Sequence, residues 1–132
     1  MNVSFYLKIP YKYNGRDETG IDCWGLVLLF YKREFRVKLS DYKHGTKSYN
    51  ELGNFISRQV ASNGEFAPVK FLKFGDLLLI KNNSEVVNHI AVYIGENRIL
   101  HALDGVGVVV SKLHLWKSKA SMFLRYRGIH AD

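Results

Sequence analysis

The hydrophobic period of this chain changes at Pro68, and that switch limits the folds open to it more than any other feature. Before it, apolar residues follow helical spacing. From Cys23 to about Phe35 the chain is apolar nearly all round, which predicts a buried helix. From Tyr49 to about Ala61, Leu52, Phe55, Ile56, Gln59 and Val60 recur at helical intervals, which predicts a second, amphipathic helix stopped by Asn63-Gly64. After Pro68, Asp76 to Ile80, Val86 to Ile94, Arg98 to Leu103, Gly107 to Val110 and Met122 to Tyr126 read as strands. Asn82-Asn83, Gly95-Glu96-Asn97 and Asp104-Gly105 separate them as turns. Helices followed by a run of short neighbouring strands imply an α+β fold with an antiparallel sheet. Residues 1–21 read as an irregular entry segment, with turn chemistry at Asn14-Gly15 and Gly20, and residues 40–48 as loop. There is no internal repeat, low-complexity stretch or linker, and 132 residues form one domain, 1–132, with length enough for a real core.

Cys23 is the only cysteine, so neither an internal disulfide nor a CxxC zinc finger is available. A lone cysteine is by default a small buried hydrophobe. This one follows Asp22, a good N-cap residue, and opens the apolar run, so it falls in the first turn of the first helix. Unpaired backbone N–H groups and the positive end of the helix dipole favour negative charge there. A thiol so placed is expected to have its pKa lowered from about 8.5 into the range of roughly 3.5–7.5.

Two of the five histidines stand in the strand region. Alternation along Val87-Asn88-His89-Ile90-Ala91-Val92-Tyr93-Ile94 puts His89, Ala91 and Tyr93 on one face and Ile90, Val92 and Ile94 on the other. His101 lies on the next strand, across the Gly95-Glu96-Asn97 turn, so a hairpin brings the two imidazoles side by side. A strand histidine alone is ordinarily structural or solvated. With a thiol, the pair fits a familiar chemistry: Cys23 as nucleophile, His89 as base and acid, His101 as the group that orients His89. The helix start at Cys23 would supply N–H donors for an oxyanion.

The chain resembles the NlpC-type cell-wall cysteine peptidases, a papain-like family. The resemblance is carried, in order, by Pro10-Tyr11-Lys12-Tyr13-Asn14-Gly15, Asp22-Cys23-Trp24-Gly25-Leu26, Gly75-Asp76-Leu77-Leu78, His89-Ile90-Ala91-Val92-Tyr93-Ile94-Gly95 and Leu100-His101-Ala102. It implies a papain-like fold with the nucleophile at a helix start, N-terminal helices packed on a C-terminal antiparallel sheet. It also implies a cofactor-free thiol hydrolase acting on peptidoglycan stem peptides, typically at γ-D-glutamyl bonds to a diamino acid. Cys23, His89 and His101 match the family's triad. Tyr11 matches a tyrosine over the site that contributes to substrate and oxyanion binding. Asp22 matches an aspartate that helps hold a free stem-peptide amine, although it is equally an N-cap; Asp76 reads as structural. Trp24 stands where many relatives have a serine, and an indole, with only an N–H donor, cannot replace a hydroxyl acceptor in an amine clamp. Trp24 is therefore a candidate substrate-side residue that would crowd the cleft. The Asp-Cys-Trp-Gly-Leu string, the Val86-Val87-Asn88-His89 segment and Leu103-Asp104-Gly105-Val106-Gly107-Val108-Val109 look like the bacteriophage tail branch of the family. Other tail proteins are then expected partners.

The net charge of +7, from 19 Lys and Arg against 12 Asp and Glu, favours polyanions in general, whether nucleic acid or a bacterial envelope. Basic clusters lie at Lys32, Arg33, Arg36 and Lys38 and at Lys117, Lys119, Arg125 and Arg127. No nucleic-acid motif accompanies them, so no specific nucleic-acid partner is expected. A Cys/His/His zinc site lacks a fourth ligand, and no metal is expected. The first ten residues do not read as a secretory signal and no segment is long enough to span a bilayer, so the expectation is synthesis in the cytoplasm without membrane insertion. If the protein leaves, it leaves by another route, and the resemblance to the phage tail branch implies action in a virion tail or after delivery to the wall. Beside the hydrolase stands a second reading, a tail-tip structural or assembly protein that keeps the fold with little or no chemistry.

Overall fold

A computed structural model describes residues 1–41, 58–60, 62 and 64–128. The entry segment is more regular than its composition suggests. It holds a short helix α1 (Val3–Tyr6) and a two-residue ladder between β1 (Arg16–Asp17) and β2 (Gly20–Ile21). Tyr11 bridges Ile21, with Lys12 N–H donating to Ile21 O and Ile21 N–H to Pro10 O, so this segment is clamped against the approach to Cys23.

Helix α2 (Cys23–Phe30) begins where the sequence predicts. Asp22 is extended and its side chain accepts from Gly25 N–H, which satisfies one orphan donor of the first turn. Gly25 is required by close approach. A Cβ there would lie 2.1 Å from the Gly15 carbonyl oxygen. The helix then widens into a π-turn (Tyr31–Phe35) and ends at Arg36, which is left-handed with φ 56°. Trp24, Leu26, Val27 and Phe30 are fully or almost fully buried, as an all-round apolar helix requires. The predicted helix 49–61 and loop 40–48 lie mostly outside the described residues; residues 58–60 and 62 are helical.

Six strands form one antiparallel sheet: β3 (Phe66–Val69), β4 (Leu77–Ile80), β5 (His89–Tyr93), β6 (Arg98–Leu103), β7 (Gly107–Lys112) and β8 (Ala120–Tyr126). Their order is β3-β8-β4-β5-β6-β7. All five predicted strands are present, with ends shifted by up to three residues. The sequence reading missed β3 because it contains Pro68. Proline is tolerated there because β3 is an edge strand, where a missing N–H breaks no central ladder. A short helix α3 (Leu113–Trp116) and a 3-10 turn (Lys117–Lys119) join β7 to β8.

The sheet separates two apolar clusters. Ile90, Val92 and Ile94 pack with α2, Tyr6, Tyr31 and Leu77, while Ala91 and Tyr93 pack with Leu78, Ile80, Ile99 and Trp116. The predicted alternation along β5 therefore holds. The Tyr31 hydroxyl donates to Gly75 O, tying α2's continuation to the start of β4. Asp76 is buried and structural: Arg125 Nε and Nη2 donate to its two carboxylate oxygens at 3.0 and 2.8 Å, locking β8 to the turn before β4. Among the described residues no helix is long and apolar enough to cross a membrane.

Candidate active site

The site is built on a diagonal row across three neighbouring strands. Strands β5 and β6 pair Val92 with Leu100 and Tyr93 with Ile99, and continuing that register by one residue sets His101 opposite Ala91. His89 is then the diagonal neighbour of His101 on the same face, within reach of a ring. Ala91, opposite His101, is small enough to let the rings meet. His89 Nε2 and His101 Nδ1 are 2.8 Å apart. Strands β6 and β7 pair His101 with Val109 and Ile99 with Ser111, so Ser111 continues the diagonal. His101 Nε2 lies 2.8 Å from Ser111 Oγ.

Cys23 approaches this row from the start of α2. Its sulfur accepts from the backbone N–H groups of Ile90, the residue after His89, and of Trp24. Cys23, His89 and His101 are all fully buried. Trp116 covers the histidines, its ring edge-on to His101 at 4.7 Å between centroids and tilted against His89 at 6.1 Å. Lys119 Nζ stands 4.7 Å from the Trp116 ring, close enough for a cation–π contact.

Burial sets the protonation states. It pushes the Cys23 thiol up to about 12, with the Asp22 carboxylate adding to the rise and the N–H groups of Ile90 and Trp24 and the Arg16 cation opposing it. Burial, with His101 alongside, lowers His89 to about 3, and burial lowers His101 to about 4. The expectation of a thiol ionised by its helix start is therefore corrected. A helix terminus contributes about 0.3–1 kcal/mol at an exposed site, while full burial can move a pKa by up to roughly 3–5 units. The resting site holds a neutral thiol and neutral imidazoles.

This has a consequence for stability. The unfolded imidazoles titrate near 6.5, above their folded values of about 4 and 3. The unfolded state thus binds more protons below pH ~6.5, and the stability held by the neutral pair is lost as pH falls through about 4 and then 3. Thermal unfolding is expected to shift to lower temperature as pH drops from about 6.5 to 4. A His89→Gln/His101→Gln double variant should show a flatter profile, and an equally steep one would refute this account.

Two substrate-side expectations are relocated. Trp24 does not crowd a cleft: it is fully buried within the main apolar cluster, and its Nε1–H donates to Ser40 O at 3.2 Å. Cys23, the first helical residue, faces the site, and Trp24, one residue on, is turned by about 100° around the axis. Asp22 is fully buried as the N-cap. Its Oδ1 accepts from Gly25 N–H and Arg16 Nη1, both at 2.8 Å, and its Oδ2 from Asn14 N–H at 3.0 Å. Tyr11 is half-buried on the segment clamped beside Ile21.

Sequence reasoning missed Arg16, Ser111 and Trp116. Ser111 had a faint signal, a polar residue ending the Val108-Val109-Val110 run on the same alternation as Val109. Trp116 and Arg16 had none: Arg16 lies in a two-residue strand and Trp116 in a one-turn helix, both too short to leave a period in the sequence. Replacing Trp116 by alanine should let water reach His101 and raise its pKa from about 4 toward the ordinary imidazole value. An NMR titration of the His101 ring that stays unmoved would mean Trp116 does not shield it.

A buried helix packed on an antiparallel sheet, with the thiol at the helix start and two histidines on the sheet, is an α+β arrangement of the kind that NlpC/P60 structures have. The chain belongs to the NlpC/P60 family, whose model matches residues 8–125. It is 31% identical over 113 residues, 84% of its own length, to the murein DD-endopeptidase MepS/murein LD-carboxypeptidase of Escherichia coli K12. The chain spans about half of that relative, 52%. Its fold matches an NlpC/P60 family protein from Bacillus cereus ATCC 10987 with a TM-score of 0.65 at 24% identity, covering 92% of this chain and 36% of that one. It also matches the NlpC/p60 domain of the peptidoglycan hydrolase SagA with a TM-score of 0.62 at 21% identity, covering 91% and 89% of the two chains.

Proposed function

We propose that this chain is a peptidoglycan amide hydrolase that cuts stem peptides with Cys23 as nucleophile, His89 as base and acid, and His101 as its orienter. The observation that carries the reading is the 2.8 Å contact between His89 Nε2 and His101 Nδ1, next to a thiol held at a helix start. With His89 Nε2–H donating to His101 Nδ1, the basic lone pair of His89 is on Nδ1. As Cys23 Sγ bonds to the scissile carbonyl carbon, its proton passes to His89 Nδ1, and the carbonyl π electrons move to the oxygen. With Gly25 N–H committed to Asp22, oxyanion stabilisation falls to the Cys23 N–H and Tyr11. Collapse breaks the C–N bond, and His89 gives its proton to the leaving amine. Water, deprotonated by His89, then hydrolyses the thioester and frees the thiol. Because the resting pair is neutral, charge separation arises only during attack.

The family resemblance favours the γ-D-glutamyl bond to the diamino acid. A second reading, a bond of the DD type, is favoured by two observations. The E. coli relative carries DD-endopeptidase in its name. The Asp22 carboxylate, which a free stem-peptide amine would need, is already held by three donors. We assign the protein to the phage tail branch on its Asp22-Cys23-Trp24-Gly25-Leu26 string and on the segments flanking the two histidines. Its partners would then be other tail proteins and its target the host wall. Full burial of Cys23, His89 and His101 favours, as the alternative, a tail component whose site stays closed.

Mass spectrometry of purified peptidoglycan and defined muropeptides after incubation tests this reading. New peptide fragments are expected, and their termini identify the bond. Intact muropeptides across several wall chemistries would move the assignment to the structural alternative.

A further inference from the structure

We propose that Ser111 is a positioning residue that sets the tautomer of His101, and through it leaves the basic lone pair of His89 on Nδ1. The inference rests on the hydrolase reading above. His101 is fully buried and sits between two partners, His89 Nε2 at its Nδ1 and Ser111 Oγ at its Nε2, each at 2.8 Å. A neutral imidazole has one N–H and one lone pair, so the row has two proton arrangements. In the first, His89 Nε2–H donates to His101 Nδ1, and His101 Nε2–H donates to Ser111 Oγ. His89 Nδ1 then keeps its lone pair. In the second, the Ser111 O–H donates to His101 Nε2, and His101 Nδ1–H donates to His89 Nε2. The proton of His89 then sits on Nδ1, and it cannot accept one from Cys23 there.

An orienting carboxylate would only accept, so it would impose the first arrangement unaided. A histidine in that place is ambivalent. The first arrangement leaves His101 with an N–H in a buried site, and such a donor needs an acceptor. Ser111 Oγ is that acceptor. Without it, the first arrangement has an unsatisfied buried donor, while the second has only a bare lone pair on Nε2. The balance then moves toward the second, inactive arrangement. The strand register makes this possible, because Ser111 is the diagonal neighbour of His101 across β6 and β7 as His89 is across β5 and β6.

The test combines long-range 1H–15N NMR of the histidine rings with kinetics on purified peptidoglycan, for wild type, Ser111→Ala, Ser111→Cys and Ser111→Thr. The wild type is expected to carry its protons on Nε2 of both rings. Ser111→Ala should move the His101 proton to Nδ1 and lower kcat by about 10- to 100-fold with KM little changed, the range typical for a supporting hydrogen-bond partner. Ser111→Cys keeps the volume but accepts only weakly, and should behave like alanine. Ser111→Thr keeps the hydroxyl and should restore both readouts. The proposal is overturned if His101 keeps its Nε2 proton in the alanine and cysteine variants, or if the tautomer moves and kcat does not. If the wild type cuts no peptidoglycan, the hydrolase reading fails, and the NMR readout still decides what Ser111 does to His101.

Discussion

Cys23→Ala is expected to reduce peptidoglycan hydrolysis by at least about 10⁴-fold, as removal of a covalent nucleophile does. Its melting temperature should fall by several degrees while the fold persists, and Cys23→Ser should recover most of that loss. The side chain is fully buried, yet the substitution removes one sulfur atom from a site with no disulfide. The thiol accepts weak hydrogen bonds from Ile90 and Trp24, and the loss of these leaves backbone groups that Cys23→Ser would again satisfy. Hydrolysis assays with matched circular dichroism check the outcome. A folded alanine variant with full activity would remove Cys23 from the chemistry. The neutral resting state adds a second readout. Alkylation of Cys23 in the wild type at neutral pH should be slow for a nucleophilic cysteine, because the thiol is both covered and pushed up to about 12.

The second large effect is on stability. Asp22→Ala removes the N-cap of α2 and takes from Arg16, whose side chain is only 14% exposed, the carboxylate 2.8 Å from its Nη1, leaving it the exposed Asp41 at 3.0 Å from its Nε. Loss of a cap costs about 0.5–2 kcal/mol. Breaking one partner of a buried ion pair costs about 3–5 kcal/mol. Because Asp41 still pairs with Arg16 and the two contributions share one carboxylate, the variant is expected to lose on the order of 2–3 kcal/mol in total and to melt about 5–10 °C lower. Asp22→Asn, which can still cap the helix, should lose less. The competing role, holding a substrate amine, makes a different forecast: a raised KM with an unchanged melting temperature. Denaturation and steady-state kinetics on the two variants separate these roles.

The legible parts of the site were those written in short-range pattern. Asp22-Cys23 followed by an apolar run places a thiol at a capped helix start. Period-2 alternation and a Gly95-Glu96-Asn97 turn put His89 and His101 on one face of a hairpin. The edge strand with Pro68 was not legible, because proline is excluded only from central ladders, and which strand is central is a property of the assembled sheet. Trp24 was misassigned because adjacency in sequence to Cys23 does not carry direction: successive residues of a helix differ by about 100° around its axis.

By itself, then, the sequence determined the order of the elements, the capped thiol, the same-face histidines and the family to which the chain belongs. Each of these depends on neighbours a few residues away or on an ordered set of motifs. Only the tertiary structure decided that Arg16 locks Asp22, that Ser111 and Trp116 join the histidine pair, and that the thiol is held neutral. Those outcomes depend on register, on long-range approach and above all on burial, which outweighs the helix dipole, and burial exists only once the sheet, α2 and α3 have come together.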